Sequence, residues 1–284
     1  MADAKAELAR TGVLRAAINM SNFLLVTDKA ENGDPIGVAP DMAAAIAAKL
    51  GVPLKLVPFP NPGALADAAE DGLWDVGLIG AEPARAEKIA FTAAYVEIES
   101  TYIVPAGSPF TNAEQVDQAG VRIAVMGRSA YGLWLDRNLK HAALARTETM
   151  GEALDRFREE KLEALAGLRP GLIGDLEKLP AGARILDGRF TAVQQAIGTQ
   201  RANTAGAAFL STFVEDAKAS GFVAQLIAKH KVQGLSVAPK GARWRSCSPA
   251  TIRRSPRAKA TAPCRPTSPP CPAGSRTSAA NSMR

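Results

Sequence analysis

GLWDVGLIGAEPARAEKIAFTAAY, residues 72–95, is the stretch whose reading decides the fold. Val76 to Ile79 form a continuous apolar run, the mark of a strand buried on both faces, as in parallel sheets. Gly80 and Pro83 break the run, Arg85 follows in a short helical stretch, and Phe91 opens a second apolar entry. Open α/β sheets bind ligands beyond the carboxyl ends of their strands, which is where Arg85 stands. Its guanidinium is a planar fork that can meet a carboxylate with two charge-assisted hydrogen bonds. On the residues alone, a structural ion pair with Glu82 or Glu87 is the commoner role for such an arginine.

Outward from this stretch, strands and helices alternate. VLRAAINM, LKLVPF and WDVGLIG read as strands, and DMAAAIAAKLG reads as a helix with Asp41 near its start and Gly51 just past its end. GALADAAEDG reads as a helix stopped by Gly72, and STYIVPAG as an extended segment that carries the chain elsewhere. A second run follows: helix NAEQVDQAG, strand VRIAVM, helices SAYGLWLDRNL and MGEALDRFREEK, and a weak strand LEALAGL. FTAVQQAIGT is extended again, and two amphipathic helices close the run. Two sets of βα units predict an α/β protein of two lobes, each a mostly parallel sheet flanked by helices. GRSA (127–130), opening a helix after a strand, stands at a second carboxyl end.

The 284 residues suffice for one large domain or two small ones, and 47% apolar residues mark a globular chain. The net charge of +6 is unevenly spread. From Lys240 onward there are eight Arg, two Lys and no acid, which leaves 24 basic against 28 acidic residues before it, or −4. A mildly acidic body argues against a nucleic-acid partner. Residues 240–284 also hold seven of the 19 prolines and all three cysteines. Their composition predicts disorder, and the break in character fits an out-of-frame continuation of a GC-rich gene. The cysteine spacings, 17 and seven, match no compact zinc pattern. MADAKAELARTGVLRAAI lacks an apolar leader core, so the sequence as written is expected in the cytoplasm unless a leader was removed.

LRAAI, GDPIGVAPDMAAAIAAKLGV, GLWDVGLIG and RAEKIAFTAAY, in that order and spacing, resemble the extracytoplasmic solute-binding proteins of polar amino-acid ABC importers. The resemblance runs from about Leu14 to Pro239 and implies the type II periplasmic binding fold. It implies a first lobe of residues 1–98 and 197–239, a second of 99–196, and two crossover strands between them, with a small ligand held in the cleft. Arg85, six residues before Phe91, would clamp the ligand's α-carboxylate. Ser129, Ala130 and the amides of GRSA would complete the clamp, because a helix N-terminus attracts anions. Serine at such a place is also the ordinary helix cap. Gly80, and Asn22, Phe23 and Asn61 on the first lobe, would line the pocket.

Two departures from the family pattern bear on the ligand. GAEPAR is shorter than the usual loop and offers no Ser or Thr before the arginine. Where the second lobe normally supplies an Asp to the ligand ammonium, this chain has Leu168 and Arg169. The expected site therefore keeps its carboxylate end and changes its amine end, with Arg169 as a second cation and Glu82 as the one group able to take an ammonium.

Other chemistry is thin. His141 and His230 lie in lysine-flanked helical surroundings and are expected on the surface, and no His, Cys and carboxylate cluster has metal spacing. No cofactor is expected. GLIGDL lacks the context of a nucleotide loop. Trp134 and the pair Gln194 and Gln195 are secondary candidates for the cleft. The leading reading is a non-enzymatic, monomeric transport receptor that presents a bound small carboxylate or amino acid to a membrane permease. A cyclohexadienyl-dehydratase-like enzyme, with Glu82 as its acid, and a ligand-sensing module are the alternatives.

Overall fold

A computed structural model describes residues 1–242. Helix α1 (Ala2–Leu8) precedes strand β1 (Leu14–Asn19), and a small hairpin of β2 (Asp28–Lys29) and β3 (Pro35–Ile36) leads into α2 (Val38–Leu50). Then come β4 (Leu54–Phe59), α3 (Pro62–Asp67), β5 (Val76–Gly80), α4 (Pro83–Ala86) and β6 (Ile89–Phe91). A long strand, β7 (Val96–Val104), leads to β8 (Arg122–Met126), α5 (Ala130–Asn138), β9 (Ala143–Thr147), α6 (Met150–Glu159), β10 (Ala164–Leu168), α7 (Arg169–Leu176) and β11 (Arg184–Ile185). A second long strand, β12 (Thr191–Gln200), is followed by α8 (Thr204–Ala219), α9 (Phe222–Lys229) and β13 (Ser236–Val237).

The main sheet runs β4-β1-β5-β12-β7-β10-β8-β9. Strands β4, β1 and β5 are parallel to one another, as are β10, β8 and β9. The long strands β7 and β12 are antiparallel partners at the centre. Gly80, the last residue of β5, faces Gln195 on β12, and Leu168, the last of β10, faces Ser100 on β7. Since Ser100 pairs with Thr191 and Val96 with Gln195, the carboxyl ends of both parallel sets converge on one short segment of the central pair. That convergence places the ligand site.

Each side of the central pair has its own core. One gathers Leu14, Ile18, Met42, Ile46, Leu78, Ile197, Leu210 and Val214, so α8 and α9 pack back on the first strands. The other gathers Tyr102, Ile123, Val125, Leu135, Ala166 and Val193. Helix α2 shows why the first core forms. Val38, Met42, Ala43, Ile46, Ala47 and Leu50 repeat at helical spacing on the buried face, and Gly51, at φ 63°, ends the helix in the left-handed conformation. Trp74 is fully buried, and its indole N–H donates to the Leu65 carbonyl at 3.1 Å, so it is a core residue.

Several local expectations are corrected. NAEQVDQAG forms only a single 3-10 turn, Ala113–Gln115, because Asn112 and Gln115 cap each other's backbone and Asp117 turns away to accept the amides of Lys140, His141 and Ala142. The edge strand β9 and helix α7 were not anticipated. His230 is not a surface residue: its side chain is 7% exposed, and Nε2 lies 2.7 Å from Asp41 Oδ2. The tail does not begin at Lys240, since Gly241 N–H donates to Glu215 Oε1 at 3.0 Å and Ala94 N–H to the Ala242 carbonyl at 2.8 Å. The expectation of disorder from residue 243 onward lies outside the described residues.

Candidate functional site

A cavity of about 540 Å³ lies where the two sets of carboxyl ends meet. The loop after β1 contributes Asn19, Ser21, Asn22 and Phe23, and the loop after β4 contributes Pro60, Asn61 and Pro62. Gly80 and Arg85 come from the end of β5 and from α4. Opposite them stand Met126, Ser129, Ala130 and Tyr131, the turn Glu148–Gly151, and Leu168 with the cavity-facing residues of α7. Val193 and Gln195 of β12 form the floor between them.

Arg85 is buried, at 6% exposure. Its Nη1 donates to the Gly80 carbonyl and its Nη2 to the Arg128 carbonyl, each at 2.7 Å. Among the described residues no carboxylate pairs with this guanidinium. The ion pair with Glu82 or Glu87 left open by the sequence is thus not formed. Burial pulls the Arg85 pKa down to about 9, with the Arg128 cation acting in the same direction and Asp67 against it. A cation so placed gains when an anion enters, because the anion restores the charge balance lost with water.

Seven of the nine expected site residues line the cavity: Arg85, Gly80, Asn22, Phe23, Asn61, Ser129 and Ala130. Several carry structural duties as well. Asn61 Oδ1 caps α3 by accepting from Ala64 N–H at 2.9 Å. Ser129 is the cap of α5, accepting from Gly132 N–H at 2.9 Å and donating to the Met126 carbonyl at 2.7 Å. Its hydroxyl is therefore committed, and the α5 N-terminus offers backbone amides instead.

The remaining two do not reach the cavity. Glu82 Oε2 accepts from the amides of Ala84 and Arg85, capping α4, and Oε1 pairs with Arg137 of α5. With both oxygens engaged elsewhere, Glu82 does not line the cavity in which the sequence suggested it as an ammonium acceptor. Arg169, at the first position of α7, turns outward, donating Nε to Glu99 at 3.1 Å and Nη2 to the carbonyls of Leu186 and Gly188. Arg169 therefore does not stand in the cavity as the second cation that the sequence suggested.

Sequence reasoning missed α7 altogether. Gly171, Gly174, Asp175 and Lys178 all face the cavity, and Asp175 Oδ1 pairs with Lys178 Nζ at 2.9 Å. Glu148 lines the same wall. Pro170 in the first turn and two glycines disguise the helix, although Pro is at home there and the three-and-four spacing of its inward residues was present. Gln195 does reach the cleft, whereas Gln194 pairs with Glu97. Trp134 stacks on Phe190, 5.6 Å between ring centres, away from the cavity. Among the described residues no group of three or more His, Cys, Asp or Glu side chains is placed to hold a metal, and no helix is long and apolar enough to cross a membrane.

A sheet of this order, with a cavity at the converging carboxyl ends and a buried arginine in it, defines a ligand-binding protein of the type II periplasmic class. The family model for bacterial extracellular solute-binding proteins, family 3, matches residues 15–233, and the chain belongs to that family. No curated protein matches the sequence. Among solved structures, a mutant of ArgBP from T. maritima has a TM-score of 0.64 at 22% identity, covering 80% of this chain and 99% of its own. An amino acid ABC transporter substrate-binding protein from Streptococcus pneumoniae, bound to L-arginine, has a TM-score of 0.63 at 19% identity, covering 83% and 99%. The ancestral amino acid-binding protein AncCDT-1, a precursor of cyclohexadienyl dehydratase, has 0.63 at 20%, covering 78% and 97%. These likenesses establish the two-lobed fold.

Proposed function

We propose that this chain is the solute receptor of an ABC importer and that its cleft takes a small carboxylate or amino acid anchored on Arg85. The observation that carries the reading is a buried guanidinium on the wall of a 540 Å³ cavity, bonded only to carbonyls. An entering carboxylate would accept from its remaining N–H groups and from the amides at the start of α5. Residues 1–98 with 197–242 form one lobe and 99–196 the other, and the ligand closes them by touching both. The receptor acts outside the cytoplasmic membrane, as a monomer, and delivers its ligand to a membrane permease. A dehydratase on this scaffold would need a free acid in the cleft; Glu82 is occupied by Arg137 and the α4 amides, which leaves Asp175 and Glu148 as the acids on the cavity wall.

Calorimetry of the full chain against a panel of amino acids and simple carboxylates tests this reading. Arg85→Ala should weaken binding of any carboxylate that the native chain holds by about 2–5 kcal/mol, since the anion would lose its buried partner. Unchanged affinity would remove Arg85 from the site, and turnover of prephenate or arogenate would point to the enzyme.

A further inference from the structure

The wall of the cavity opposite Arg85 is charged at a place where the family resemblance does not expect it. At the end of β10, where that resemblance expects an Asp, the cavity meets the apolar side chain of Leu168. The carboxylate appears instead at Asp175, seven residues further on, which at 1.5 Å per residue is about 10 Å along α7.

The helix is shaped around that group. A Cβ added at Gly174 would meet nothing within 4 Å, so the cleft is open beside Asp175, whereas at Gly171 the ring of Phe23 closes on the helix, 3.1 Å from where a Cβ would stand. Leu168 and Met150 line the path with apolar surface. Asp175 is 13% exposed, and among the described residues its only charged partner is Lys178, itself 61% exposed. A solvated lysine is a weak competitor for a buried carboxylate, since its ammonium can return to water at little cost. Glu148 adds negative charge to the same wall.

We propose that α7 carries a second charged subsite, in which Asp175 takes the terminal ammonium of an ω-amino acid whose carboxylate lies on Arg85. This rests on the reading of Arg85 as the carboxylate anchor. The ligand's methylene chain runs along Leu168 and Met150, and its ammonium displaces Lys178 from Asp175. An α-amino group would instead meet Leu168, which offers it no acceptor on its side chain.

Three acids with the same carbon chain separate the cases: valerate has no amine, norvaline has it at the α-carbon, and δ-aminovalerate has it at the end. In calorimetry on the full chain, δ-aminovalerate should bind at least about tenfold more tightly than either of the others, the scale of one good charge-assisted hydrogen bond. Asp175→Asn should reduce δ-aminovalerate to the level of valerate and leave valerate unchanged. Lys178→Ala should strengthen δ-aminovalerate binding by removing the competing ammonium. Equal binding of the three acids, a preference for norvaline, an undiminished preference in Asp175→Asn, or weaker binding in Lys178→Ala would each overturn the subsite while leaving the Arg85 anchor standing. Should the Asn variant fail to fold, the three-acid comparison on the native chain decides alone. Binding of none of the three would overturn the anchor and the subsite together.

Discussion

Arg85 Nη2 donates to the backbone carbonyl of Arg128 at 2.7 Å, so the buried cation of one half of the molecule is held by the chain of the other. Arg128 returns the connection. Its own guanidinium reaches the Gly63 carbonyl at 3.3 Å and Asp67 Oδ1 at 2.6 Å on α3. To turn its carbonyl toward Arg85, Arg128 sits at φ 58°, a conformation unfavourable for a residue with a Cβ. The two arginines thus tie the cleft from both sides, Arg85 by its side chain and Arg128 by both its backbone carbonyl and its guanidinium.

Replacing Arg128 separates these contributions. Arg128→Gly removes an exposed ion pair worth about 0–1 kcal/mol but relieves a left-handed backbone costing about 1–2 kcal/mol, so it should be at least as stable as the native chain. Arg128→Ala loses the pair and keeps the strain, and should be the less stable of the two. Urea midpoints test the order, and an alanine variant as stable as the glycine variant would show that the φ value carries no strain.

Glu82 and Arg137 form the second tie across the cleft. Glu82 is only 2% exposed, so its charge depends on Arg137 and on the two α4 amides for its solvation. Glu82→Ala should cost about 1–2 kcal/mol, chiefly the lost α4 cap, because the Arg137 side chain, 38% exposed, can return to water. Glu82→Gln keeps an acceptor for the amides and should cost less than the alanine variant. Chemical denaturation giving the two variants equal losses would mean that the cap contributes nothing and the charge everything.

The sheet was legible because its strands are covered on both faces. VGLIG is buried at every position, and such runs announce themselves. The strand ALART was not legible, since it lies at the sheet edge with no fully buried residue and so has no continuous apolar run. The place of Arg85 on the cavity wall could be read from its position after β5, because that place is set by local chain order, whereas its role as a clamp rested on the family resemblance. The fates of Glu82 and Arg169 could not, since Arg137 lies 55 residues from Glu82 and Glu99 lies 70 from Arg169. Charged partners so far apart are chosen by tertiary packing, and no spacing rule links them. Asp175 is hidden for another reason: the two glycines of GLIGDL disguise a helix face.

Asp41 supplies a pH dependence. It lies in the first turn of α2 and accepts from Lys229 Nζ at 2.7 Å, with His230 Nε2 also at 2.7 Å, tying the end of α9 to the start of α2. Burial alone would raise its pKa, but the hydrogen bonds from Lys229 and His230 outweigh it and hold the carboxyl below its ordinary 3.8. The native state therefore binds this proton more weakly than the unfolded chain. The resulting stability is present in full above the unfolded value and is lost as pH falls through the lower native one. Asp41→Asn should be less stable than the native chain near neutral pH, and the gap should narrow as the pH drops below about 4. Urea midpoints from about pH 6 down to about pH 3 would show it; a constant gap would mean that Asp41 acts through shape and not charge.

Gly80 tests how closely the lobes must meet. A Cβ built there would lie 3.0 Å from Ala130 Cβ and 3.1 Å from Val193 Cγ1, and both neighbours are stiff. Ala130 opens α5 in the second lobe and Val193 lies in the central strand β12, so neither can swing aside as a long side chain would. In Gly80→Ala the added methyl is therefore accommodated by parting the halves slightly, which also draws Arg85 away from the Arg128 carbonyl. Each half keeps its own core in this variant, so unfolding stability should fall by about 1–3 kcal/mol at most, the usual scale of overpacking. Closure should suffer more than folding, because the bound ligand needs both walls at once. The expected outcome is a clear loss of carboxylate affinity expressed mainly in faster dissociation, read by stopped-flow release, with the association rate little changed. A variant that binds as tightly as the native chain would show that Ala130 and Val193 can give way, and that the close approach at Gly80 is not what sets the closed cleft.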